Sequence, residues 1–149
     1  MSARLPRPAA RLLLLDPQDR LLMFRFAADD RAPFWATAGG GCDPGESYEA
    51  AARRELLEET GFDLDPGPEI ARREVTFITL EGVPVFADER YFLIRTETTE
   101  IATHGHTPLE KRVMAGWRWF TRAELADWPE KIFPEDIVDM LNRLLERAS

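Results

Sequence analysis

The chain has one cysteine, Cys42, and only two histidines. A lone cysteine excludes an internal disulfide and suits a reducing compartment, so a cytoplasmic location is expected. Long apolar runs are missing as well. No stretch approaches the roughly 20 apolar residues of a membrane span. The start, MSARLPRPAARLLLL, imitates a signal peptide by placing basic residues before leucines, but Asp16 and Pro17 end the run too early. Positive charge is scarce: 19 Lys and Arg stand against 27 Asp and Glu, for a net charge of −8. That balance argues against a non-specific grip on a nucleic-acid backbone, which needs clustered cations. Internal repeats, linkers and low-complexity segments are also missing. These absences leave a single domain over residues 1–149, with one sizeable core.

The pattern of elements predicts an α/β class. Residues 1–8, with two prolines, read as a loose arm. Ala10 to Leu15 and Arg20 to Phe26 read as strands around the turn residues Asp16-Pro17-Gln18-Asp19. Phe34 to Ala38 reads as a short strand leading into a glycine-rich loop. Glu74 to Leu80 and Val85 to Arg95 follow as strands rich in β-branched and aromatic residues. Thr96 to Arg112 lacks periodicity and reads as a long functional loop. Val113 to Phe120 reads as a strand and Thr121 to Leu125 as a capped turn. The apolar stripe Ile137, Leu141, Leu144 and Leu145 marks a closing helix. A mixed sheet covered by helices follows from this order.

The chemistry concentrates between Gly39 and Phe62, GGGCDPGESYEAAARRELLEETGF. Ser47 is a good helix N-cap, and Gly61 is the residue type that ends helices in a left-handed conformation. Between them Glu55, Glu58 and Glu59 stand at i, i+3 and i+4. At about 100° per residue they share one face. Like charges so placed repel by about 0.2–0.5 kcal/mol per pair. A solvated acidic face is one reading. A hard divalent cation is the other, since Mg²⁺ takes oxygen ligands and is often held by a few carboxylates plus substrate phosphates.

Gly40, Glu46, Arg54, Glu55, Leu56, Glu58, Glu59, Gly61 and Phe62 fill every specified position of G-x5-E-x7-R-E-U-x-E-E-x-G-U, where U is bulky and apolar. In this the chain resembles the Nudix hydrolases. The resemblance implies an α/β/α sandwich with a mixed sheet between helices. It also implies a pyrophosphohydrolase that cleaves a diphosphate bond, by water attack on phosphorus, in a nucleoside diphosphate linked to another group. Mg²⁺ or Mn²⁺ is the implied cofactor. By position, Glu55, Glu58 and Glu59 match the metal ligands, with Glu58 also assigned to catalysis. Arg54 matches the arginine that orients the carboxylates, and Glu46 the glutamate beside the site. Gly39, Gly40 and Gly41 let the backbone pass close to metal or phosphate. Ala38 stands where many relatives have proline.

For the general base the candidate is Glu110, with Glu97 and Glu100 behind it. Arg25 and Trp35 are candidates for a phosphate contact and a base-stacking wall, although aromatics on strands serve a core equally well. His104 and His106 read as exposed loop residues and are left outside the site. The expected partner is a small nucleoside diphosphate derivative, nucleotide or nucleotide sugar, with no membrane and no nucleic-acid polymer. Oligomeric state stays open, a homodimer among the options. A Nudix-fold protein that binds a nucleotide without turning it over is the alternative.

Overall fold

The computed structural model describes residues 4–102, 106 and 108–148, without the side chains of 110, 147 and 148. Its elements are β1 (Leu5–Leu15), β2 (Leu21–Phe26), β3 (Phe34–Gly41), α1 (Tyr48–Thr60), β4 (Glu69–Ile78), β5 (Pro84–Arg95), α2 (Pro108–Val113), β6 (Met114–Phe120), α3 (Arg122–Ala126), β7 (Lys131–Phe133) and α4 (Ile137–Ala148). Antiparallel pairs together with the parallel pair β3–β7 make a mixed sheet. With its helices this is the α/β class the sequence predicts. Among the described residues no helix is long and apolar enough to cross a membrane. The chain divides into two compact units.

The first unit draws on residues 1–14, 38–94 and 100–106. Its strands run in the order β4-β5-β1-β3. Ala9 pairs with Gly41, Ala10 with Gly40, Arg11 with Gly39 and Leu12 with Ala38. Helix α1 follows this strand end. Ser47 caps it by accepting from the Ala50 N–H at 3.1 Å. Gly61 closes it at φ 81°, donating to the Leu57 carbonyl. Ala51, Ala52 and Leu56 bury one face of α1, and Leu12, Leu13, Leu14, Tyr91 and Phe92 are buried in the strands. Each such large side chain contributes about 1.5–3 kcal/mol by leaving water. The buried residues of α1 also include Glu55 and Glu59. Carboxylates rarely go there unless they are paired.

The second unit draws on residues 15–37, 95–99 and 107–149, with strand order β6-β2-β3-β7. Asp16 organises the first turn by accepting from the N–H groups of Gln18 and Arg20. Leu21, Leu22, Met23, Phe24 and Phe120 form its core with Ile137, Met140, Leu141 and Leu145 of α4. Trp35 meets Phe120 and Trp128 edge to face. A capping box, Thr121 with Glu124, starts α3. Glu130 accepts two hydrogen bonds from Arg25, at 3.0 and 2.7 Å, and one from the Trp35 indole at 2.8 Å. The Arg25 bonds first, then the Trp35 bond, draw the Glu130 carboxyl down to about 2.

Three expectations need correction, and one strand, β7, was not expected. The loose arm expected over residues 1–8 is strand from Leu5 onward. Pro8 cannot donate, but its carbonyl accepts from Cys42, and Arg4 bonds the Phe77 and Val85 carbonyls. The glycine-rich loop is strand through Gly41, because β1 pairs its backbone directly. The end of the long loop, Pro108–Val113, is the short helix α2. Strand β7 has only three residues, too few to show a period.

Gly39 tests the close pairing of β1 and β3. At φ 125° a Cβ there would lie 2.2 Å from the Ala10 carbonyl oxygen, whereas Gly116, at φ 147°, has open space. Both alanine variants carry backbone strain of about 1–3 kcal/mol. Gly39→Ala should lose about 1–3 kcal/mol more, from the overlap, as read by denaturant titration. Glu130 makes a second prediction. Its folded pKa is depressed from 4.5, so its contribution is complete above about pH 4.5 and is lost as pH falls toward 2. Glu130→Gln should lower the melting temperature at pH 7, and the gap from wild type should shrink through that acid window. Because Glu130 is partly exposed, salt should narrow the gap.

Candidate active site

The first unit gathers its carboxylates around one guanidinium. Arg54 Nε and Nη2 each donate to Glu46, both at 2.9 Å. Nη1 donates to Glu55 Oε1 at 3.0 Å and to Glu58 Oε2 at 3.2 Å. Nη2 also donates to the Gly41 carbonyl at 3.0 Å. The fork therefore ties the loop after β3 to the acidic face of α1. Its hydrogen bonds to Glu46, then the charge of Glu55, raise Arg54 above its already high ordinary value. The same bonds hold Glu46 below the usual carboxylate range. Glu46 also accepts from the Asp43 N–H, which fixes the turn into α1.

Strand β3 comes close to α1 because it carries no side chains there. A Cβ at Gly40 would sit 2.7 Å from Glu55 Oε1 and 3.0 Å from its carboxyl carbon. Glu59 accepts a buried hydrogen bond from the Gly39 N–H at 2.8 Å. Glu58 is the more open acid, its side chain 43% exposed. At the far end of α1, Ala102 donates to the Thr60 carbonyl. His106 Nε2 lies 3.1 Å from the Glu59 carbonyl, which only accepts, so this nitrogen carries the hydrogen. His106 is buried, contrary to the exposed loop residue expected. His104 lies outside the described residues.

Of the residues singled out from the sequence, Gly39, Gly40, Gly41, Glu46, Arg54, Glu55, Glu58 and Glu59 are brought together. Arg25 and Trp35 belong to the second unit and converge on Glu130. Glu110 lies within α2, and its side chain is outside the described residues. Sequence reasoning overlooked a polar group on β1 and β5. Arg11 donates to Glu89 at 2.8 Å, and the Tyr91 hydroxyl donates to the other Glu89 oxygen at 3.3 Å. Burial, then the Glu89 charge, pushes the Tyr91 hydroxyl up. The available signal was period-two spacing, which puts Arg7, Ala9 and Arg11 on one side of β1 and Glu89 and Tyr91 on one side of β5.

The donor set suits a hard divalent cation in kind, being all oxygen. Glu55 and Glu58 already share one cationic nitrogen, Arg54 Nη1. Among the described residues no three Asp, Glu, His or Cys side chains converge as a finished metal cage. Mg²⁺ does not require one, since it commonly takes one or two carboxylates and completes its shell with water and phosphate oxygens. The residues therefore fit an ion of that type.

Comparison with known proteins agrees with this geometry. The family model for the NUDIX domain matches residues 5–141. An RNA pyrophosphohydrolase of Novosphingobium aromaticivorans is 32% identical over 133 residues, which covers 81% of each protein. Among solved structures, the MutT protein of Methanosarcina mazei Go1 superposes with a TM-score of 0.67 at 18% identity, over 100% of this chain and 99% of that one. The NUDIX domain of Shewanella oneidensis NrtR, complexed with ADP ribose, gives 0.66 at 15% identity, over 100% and 91%. At these identities the two structures speak for the fold alone. The family-model match, the 32% identical relative and the complete motif gathered around Arg54 lead to one conclusion: this chain belongs to the Nudix hydrolase family.

Proposed function

We propose that the chain hydrolyses a diphosphate bond in a nucleoside diphosphate linked to a second group, using Mg²⁺ or Mn²⁺. The observation behind this reading is the convergence of Glu55 and Glu58 on one cationic position beside a strand of bare glycines. In this reading Glu55, Glu58 and Glu59 hold the ion. When bound, the ion supplies charge neutralisation on the diphosphate and a lower pKa for the attacking water.

The chain's own residues do the rest. Arg54, anchored by Glu46, keeps the Glu55 and Glu58 oxygens aimed at one point before any ligand arrives, so little reorganisation remains. Glu59, tied to the Gly39 N–H, fixes the distance between helix and strand. Gly40 and Gly41 leave backbone within reach of phosphate oxygens. Glu110 remains the proposed general base, which would accept the proton of the attacking water. Arg25 and Trp35 remain proposed as substrate contacts, although Glu130 already holds both and the Trp35 ring is buried. The RNA pyrophosphohydrolase name of one relative favours a nucleotide substrate. Nucleotide binding without turnover is the rival reading, and the complete set of box carboxylates weighs against it.

The test is phosphate release, coupled to a phosphatase for a panel of nucleoside diphosphate derivatives and to a pyrophosphatase for a nucleoside triphosphate and a 5′-triphosphorylated oligoribonucleotide. Turnover should require Mg²⁺ or Mn²⁺, disappear in excess chelator and rise toward alkaline pH as the attacking water is more readily deprotonated. Glu110→Gln should lower kcat by about 10²–10⁴-fold. Full turnover in chelator would contradict the metal reading. Tight binding across the panel with no turnover would establish the rival.

A further inference from the structure

Arg7 is a guanidinium placed at the site with an unspent donor. It lies on β1, two residues before Ala9, the partner of Gly41. A Cβ at Gly41 would be 3.6 Å from Arg7 Nε and 3.7 Å from both Cζ and Nη2. The guanidinium thus lies against the bare backbone of the glycine strand, with its carbon 5.6 Å from the centre of the Phe77 ring. Arg7 Nη1 is buried, yet it donates to no acceptor among the described residues. Neighbouring cations differ. Arg11 spends its charge on Glu89, and Arg54 on Glu46, Glu55 and Glu58.

An unpaired buried donor is costly, and more so where it is charged. Burial, then the positive charge of Arg11, lowers the Arg7 pKa against the weaker pull of Glu89, Glu81 and Glu55. The nearby acids therefore leave its charge undercompensated, and an anion brought to it gains accordingly. The position says which anion. On adjacent residues of β3, Gly40 lies against the Glu55 carboxylate and Gly41 against the Arg7 guanidinium. The two groups flank the same strand end, and no side chain on the glycines stands between them. A planar guanidinium fork matches the oxygens of a phosphate group.

We propose that Arg7 binds a phosphate group of the substrate, on the opposite side of the Gly40-Gly41 backbone from Glu55. The inference rests on the nucleoside diphosphate reading above and deepens it. It makes Arg7 a binding residue that acts on substrate affinity, while Arg54 positions the acids.

The test is calorimetric binding of a non-hydrolysable α,β-methylene nucleoside diphosphate, with Mg²⁺, to wild type and to Arg7→Met. Methionine keeps an unbranched stem against Phe77 and removes the charge. Affinity should fall about tenfold to a hundredfold, the range of a lost hydrogen bond to a charged group. Affinity for the nucleoside without phosphates should not change. Without ligand the variant should melt at or above the wild-type temperature, because an unpaired buried charge has gone. Arg7→Lys, with its charge but no fork, should bind with intermediate affinity. Wild-type affinity for the analogue in Arg7→Met overturns the inference, as does an equal loss for the bare nucleoside or a variant that melts lower and binds unchanged. No binding by the wild type overturns the proposed function and this inference with it.

Discussion

One guanidinium holds the candidate site in shape. Glu55, Glu58 and Glu59 share a face of α1, and Glu46 comes to them from the loop ahead of it. Four carboxylates so close would repel. Arg54 binds three of them and the Gly41 carbonyl, while the Gly39 N–H takes the fourth, Glu59. The same fork fastens the loop between β3 and α1, so the electrostatic solution is also the positional one. Lysine could not replace it, because a single ammonium has no planar fork with which to span these partners.

That arrangement depends on a strand stripped of side chains. Gly39 brings β3 against Ala10 of β1 and Gly40 brings it against Glu55, at separations a Cβ would close. Glycine in a strand interior costs stability, through chain entropy and the packing it forgoes. The leucines of β1 and the aromatics of β5 supply the burial that offsets this cost. Stability and function therefore draw on different residues of the same unit: the apolar face of α1 anchors it, and its acidic face is held in tension by Arg54. An arginine with a buried donor left over, Arg7, fits the same pattern of a site assembled before its ligand arrives.

How much of this could be read from the sequence followed from how local each interaction is. The cap at Ser47, the stop at Gly61 and the Glu55-Glu58-Glu59 face all come from spacing within one helix, and the structure shows each of them. The glycines were misread as loop because their own preference is for turns. Only the pairing of Gly39, Gly40 and Gly41 with Ala9, Ala10 and Arg11, far away in the chain, makes them strand. Pro6 and Pro8 hid the start of β1 in the same way. For polar partners distant in sequence, spacing within a strand gives the side each residue takes but not its partner. Glu89 lies 78 residues from Arg11, and Glu130 lies 105 residues from Arg25. No local period announces such pairs.

The central claim is that the Glu55–Glu58 face takes a divalent cation and that Arg54 stands in for part of its charge beforehand. The most direct measurement is the shift in melting temperature on adding Mg²⁺ to wild type and to Glu58→Gln, each first freed of metal with chelator. The substitution barely alters shape, relieves the crowding of like charge and gives up one long Arg54 contact, so in chelator the two proteins should melt within a degree or two of each other. Ion binding adds stability by mass action only where ligands remain. The account predicts a clear rise for the wild type and a much smaller one for Glu58→Gln. Equal rises in both proteins, or none in the wild type at millimolar Mg²⁺, would contradict it.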